Sequence, residues 1–383
     1  MKNAHGNSRS RASVDERLLV IKRLAQPILA VLVGLSLGLG CAWLAGENPW
    51  HVLRILGRSA FGSTYDVGMT LFYTTPLIFT GLSVAIAFHA GLFNIGGEGQ
   101  LTLGALAVAG IGVLWPTAPV LVAPLLGVMA AVLVATIWGA IPGWLRARRG
   151  SHEVISTIMM NFVAAGLSSY VILYLLKNPA TQNPETKPVG TNYLIHQFAF
   201  FDGAPVSLAL VLALLSAVLV WVLLWRTSLG FEIRTVGESE TAARAAGINA
   251  PRIRIVAMSL AGGLAGLVGV GEVLGNAGRF RMGFSPDYGF MGIAVALLGR
   301  NKPLGVVGAA LLFGALHKGT ADLDLETEHV TRELSLVLQA LIILSVSAEA
   351  LWTWITKNRG TEADKDQGEQ LEGTGLSSVK EGS

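Results

Sequence analysis

Long apolar runs broken by short polar stretches set the rhythm of this chain. Runs near 26–46, 67–88, 98–115, 119–143, 154–176, 206–225, 255–275, 288–299, 304–318 and 334–354 predict ten membrane crossings. Several reach the ~20 residues that a helix needs to span a bilayer. The eighth and ninth are short, and the arms around Arg300-Asn301-Lys302-Pro303 read as two crossings or as one re-entrant hairpin. The expected fold is all-α and integral to the membrane, with discontinuous or re-entrant segments near 91–98 and 282–303. Residues 1–25 read as a cytoplasmic N-terminal segment and 26–355 as the transmembrane domain. Residues 356–383 are Gly, Glu, Asp, Lys and Ser with little that is apolar, and they read as a disordered cytoplasmic tail.

Composition strengthens this pattern. Of 383 residues, 52% are hydrophobic and 14% charged, against roughly 25% charged in an average soluble domain. The net charge of +3 is too small and too scattered to point to nucleic acid. The lone Cys41 allows no disulfide or Cys-based metal site within one chain. The seven histidines lack ligand spacing, and His152-Glu153 lacks the second histidine of a zinc-protease helix. No metal or cofactor is expected.

Basic residues give the orientation. With the N-terminus inside, the inner segments hold Arg146, Arg148 and Arg149, Arg226 to Arg254, Arg300 and Lys302, and more than twice as many Lys and Arg as the outer ones. Ten crossings return the C-terminus to the cytoplasm of a bacterial inner membrane.

Four polar interruptions carry the candidate chemistry. Phe88 to Gln100 places glycines, an amide and a carboxylate within apolar sequence. Irregular backbone at membrane depth survives only when buried in protein or facing water. Asn94, Glu98 and Gln100 are therefore pathway candidates, or polar ties between helices. In the inner loop 226–254, Ser239-Glu240-Thr241 supply N-cap chemistry, four alanines favour a helix and Gly247 suits its end. A short cytosolic helix results, either an ordinary connector or a docking surface. Phe290 to Gly305 reads as close helix packing plus a hairpin. Ser156 and Asn161 place polar groups in the fifth run, where Asn161 suits a ligand or a neighbouring helix. The glycines from Gly262 to Gly275 mark a packing face. Arg279, Arg281 and Asp287 fall at an outer mouth. Gly-Lys does not occur, so no P-loop cradles phosphates. An ATP-driven machine would need its ATPase on another chain.

In order, these segments resemble the permease family that serves ribose-type sugars, branched-chain amino acids and nucleosides in ABC importers. Phe93 to Gln100 looks like its signature, and with Phe88 to Leu92 it looks most like the nucleoside branch. Met159 to Phe162, Ala242 to Asn249 and Gly292 to Asn301 also look like family blocks. The resemblance covers about residues 60–350. It implies that 226–254 is a coupling loop docking on an ATP-binding subunit, through Gly237, Glu238, Glu240, Ala242, Ala243, Gly247 and Ile248. The loop reads Glu240-Thr241-Ala242-Ala243 where other importers have Glu-Ala-Ala. A second permease chain, alike or different, and an extracytoplasmic substrate-binding lipoprotein are implied, with surrounding lipid and a small-molecule substrate. The expected cargo is a nucleoside-type solute; the alternative is a simple sugar. An ion-coupled secondary transporter, with Glu98 and Glu272 as coupling carboxylates, is the reading from another class.

Overall fold

The computed structural model describes residues 31–327, with Leu29 and six residues between 336 and 345. The expected segment 1–25, the tail 356–383 and most of the run 334–354 lie outside the described residues. The chain divides into two units, residues 1–40 with 337–383, and residues 41–336. In the first, residues 31–40 are helical and open α1 (Val31–Leu44).

The second unit is a helical assembly. After α2 (Pro49–Phe61) come α3 (Thr64–His89), α4 (Gly97–Leu114), α5 (Ala123–Arg149) and α6 (Glu153–Tyr170), the last extended by a π turn to Leu175. Next in the chain are α7 (Leu208–Arg226), α8 (Ser228–Glu238), α9 (Glu240–Ala245), α10 (Ala250–Gly266, prolonged by a π turn at Val270–Ala277), α11 (Tyr288–Leu298), α12 (Pro303–Ala321) and α13 (Leu323–Glu326). Seven of these helices, among the described residues, are long and apolar enough to cross a membrane.

The run expected as an eighth crossing, 288–299, differs. Helix α11 has 11 residues and rises about 16 Å, roughly half of a ~30 Å hydrocarbon core. Residues 278–287 before it are not helical. The 19 residues of α12 rise about 28 Å. A half-helix followed by a full one makes this a discontinuous segment, as the Gly-rich interruption near 282–303 led one to expect. Just ahead of this run, Gly283 and Asp287 adopt positive φ, so the helix does not extend back through them.

Helix α3 forms the centre: 78% of its apolar stretch is buried, against 22% in α5 and 17% in α6. Leu133, Met159 and Phe162 on those outer helices stand exposed, which lipid tolerates as water does not. The glycine face of α10 meets α5 so closely that a Cβ on Gly262 would strike the Ala135 carbonyl. Dispersion between backbones replaces the hydrophobic drive that lipid removes.

Candidate functional site

Helix α3 ends at His89, and the chain turns back through Gly91 (φ +69°) before α4 begins at Gly97. Residues 92–95 belong to no helix, so their backbone groups need partners from elsewhere. Asn94 and Gln100 supply part of the answer. Both are buried, at 0% and 1% exposure. Asn94 Nδ2 donates to Gln100 Oε1 at 2.9 Å, and Gln100 Nε2 returns to Asn94 Oδ1 at 3.1 Å. Asn94 Oδ1 also accepts the Gly96 N–H, and its Nδ2 reaches Ser83 on α3. From α6, Asn161 accepts the Gly99 N–H at 2.8 Å and donates to the Ile95 carbonyl at 2.9 Å. Three amides thus hold one break.

Glu98 reaches the second break. Its carboxylate accepts the Gly289 N–H at 2.8 Å and is hydrogen-bonded to Ser285. A negative group here stands at the N-terminus of α11, where unpaired N–H groups favour it. Gly289 has no room for a side chain, since a Cβ would collide with the Glu98 backbone. On the far side of the same helix start, buried Glu272 is hydrogen-bonded to Tyr288 and Asn276. The two interrupted segments therefore meet. Ser156 is not drawn into this cluster: its hydroxyl donates to His152 O and pairs with Ser151.

The 226–254 loop folds as two short helices. Ser239 caps α9 by accepting the Ala242 N–H at 3.2 Å, and Gly247 ends the segment with φ +78°. Ala243 is fully buried, whereas Glu238, Ala242 and Gly247 are exposed and Gly237, Glu240 and Ile248 half-buried. Glu240 binds Arg244 at 2.5 Å and Arg254 of α10 at 2.7 Å. The Arg254 guanidinium, aided by Arg244, holds the Glu240 carboxyl below its ordinary value. Gly237 lies against the His89 carbonyl and Gly91. His89 Nε2 in turn lies 3.0 Å from the Asn301 carbonyl oxygen. The paired α8–α9 segment, the first break and the Arg300-Asn301 turn therefore converge on the end of α3.

The segment 177–205 carries a residue that sequence reading did not single out. Buried Glu185 accepts from Arg279 at 2.7 Å and lies 3.5 Å from Arg281. Burial raises its carboxyl, but hydrogen bonds from Arg279, Thr181 and Asn178 outweigh this and hold it below the ordinary range. Nothing local in the sequence announces this pairing across 94 residues.

A family described as "Branched-chain amino acid transport system / permease component" matches residues 67–347. The chain belongs to that permease family. This permease is 34% identical over 336 residues to the guanosine ABC transporter permease protein of Bacillus subtilis, covering 87% of the chain and 96% of the relative. It is 34% identical over 360 residues to a nucleoside ABC transporter permease protein of Lactococcus lactis, covering 91% and 98%. A glucose ABC transporter permease protein of Haloferax volcanii is 34% identical over 327 residues, covering 83% and 85%. The permease is thus a multi-pass membrane subunit of an ABC transporter, a transport component.

Proposed function

We propose that this permease imports a nucleoside, with ATP hydrolysed on a separate ATP-binding subunit. The near full-length similarity to guanosine and nucleoside permeases supports the cargo. The capped helix α9, exposed on one side and joined through Gly237 to the end of α3, supports a docking role. Both termini and α9 lie on the cytoplasmic side in this reading, in keeping with the basic residues. A second permease chain completes the pathway, and an extracytoplasmic binding protein delivers substrate.

Glu98, Ser156 and Asn161 are partly exposed, and we assign them to the pathway wall. Asn94 and Gln100 support it from behind. Movement of α9 would reach the break at 91–97 through α8, whose Gly237 makes a backbone contact with Gly91.

The test is ATP-dependent uptake of radiolabelled nucleosides into proteoliposomes holding the permease with its ATP-binding and binding-protein partners. Saturable guanosine or adenosine uptake is expected. Uptake of glucose and of no nucleoside would overturn the cargo assignment. The similarity to the Haloferax volcanii permease makes that sugar the second reading.

A further inference from the structure

We propose that the cleft between the end of α5 and the start of α10 holds the headgroup of an anionic phospholipid. The cleft measures about 490 Å³ and is lined by Arg148, Asn249, Pro251, Arg252, Ile255 and Val256, among others. Its charge is uncompensated. The neighbouring Arg146 and Arg254 are paired, with Glu153 and Glu240. Arg148 and Arg252 form no ion pair among the described residues.

The position of Arg252 adds to this excess. It stands in the first turn of α10, which carries no acidic residue. The positive end of a helix repels a cation and attracts an anion. Asn249, also in the lining, uses its Oδ1 to accept the Arg252 N–H, which leaves its Nδ2 as a donor. Two arginines, one asparagine and a helix start thus line one space without a carboxylate among them.

The other half of the lining is apolar. Pro251, Ile255 and Val256 carry it along α10. Trp144, one turn before Arg148 on α5, is 46% exposed, as suits an interfacial aromatic. A free phosphate would use only the polar half. A phosphodiester bearing acyl chains uses both, and basic pockets between membrane helices bind such headgroups. Occupancy would bear on α9, because Arg254 lies two residues beyond Arg252 and holds Glu240.

The proposal takes its leaflet, the cytoplasmic one, from the importer reading. Its test reads lipid retention rather than transport, so either can fail alone. The full-length permease is equilibrated in neutral detergent with phosphatidylglycerol or phosphatidylcholine, and bound lipid is counted by native mass spectrometry. Phosphatidylglycerol is expected to be retained in preference. R148Q/R252Q should weaken that retention about 30-fold, from two arginines near a membrane surface. R149Q, which removes an arginine outside the lining, should leave it intact. Equal retention of the two lipids by the wild type, or unchanged retention in the double variant, would overturn the site. Should the double variant fail to fold, displacement from the wild type decides. Stripping of the lipid by excess inorganic phosphate would identify a free-phosphate site and sink the proposal. Stripping by the ATP-binding subunit would show instead a protein-docking surface, with the same consequence.

Discussion

The Glu98 carboxylate accepts the backbone N–H of Gly289 at 2.8 Å, joining two interrupted segments 191 residues apart. The bond puts a carboxylate where α11 begins, so one side chain both satisfies a donor and opposes the helix dipole. Glu98→Gln keeps an acceptor and loses the charge. It should cost about 0.3–1 kcal/mol. Glu98→Ala leaves the N–H unmet and should cost about 1–3 kcal/mol. Thermal unfolding of the purified permease would rank them; equal losses would mean that the bond to Gly289 is not what matters.

Asn94 and Gln100 act as one unit, each donating to the other. Removing either strands the partner's amide in a buried site. A double-mutant cycle on Asn94→Ala and Gln100→Ala should show a coupling energy of about 0.5–3 kcal/mol. Simple additivity of the two losses would refute the reciprocal bond.

Gly247 has open space around its Cα but a φ of +78°. Within the chain itself, any defect from substitution is therefore one of backbone conformation and not of crowding. Gly247→Asn should be tolerated and Gly247→Val should not, because a left-handed backbone costs an ordinary residue roughly 1–2 kcal/mol and Asn less. ATPase activity stimulated by substrate and binding protein is the readout. Normal stimulation in the valine variant would remove the need for this turn.

Gly237→Ala tests the link from α9 to the first break. The new methyl would meet the His89 carbonyl and push the two segments apart, at about 1–3 kcal/mol for an overpacked contact. Transport should fall much more than ATP-binding-subunit association, measured by co-purification. Loss of association with intact transport per complex would contradict the mechanical reading.

Glu185 predicts an acid limit. Its folded carboxyl titrates below the unfolded value near ~4.3. The contribution is therefore complete above that value and lost as pH falls through the folded one. The wild type should lose stability relative to Glu185→Gln only in that acid window. A constant difference between the two from pH 7 down to pH 3 would exclude the ion pair with Arg279.

Much of this permease was legible in order along the chain. The apolar runs marked which segments lie in lipid, because lipid acts on every residue of a span at once. The Ser239 cap and the Gly247 stop bounded α9, because capping is decided by residues three or four apart. Family blocks pointed to Asn94, Glu98, Gln100 and Asn161 as residues of interest. Their partners were invisible. Glu98 and Gly289, Glu185 and Arg279, or Gly237 and His89 meet only because α3, α4 and α10 pack closely enough to bring distant backbones together. The length of α11 was also decided there. Its apolar run would continue a helix by composition, but the chain ahead of it is held by Glu98 and Ser285 in a shape no helix allows. Hydrophobic pattern and capping are properties of neighbours along the chain, so the sequence by itself determined where the long apolar helices lie and the limits of α9. The closure of polar bonds across the breaks depends on distances that exist only after folding, and the tertiary structure alone decided it.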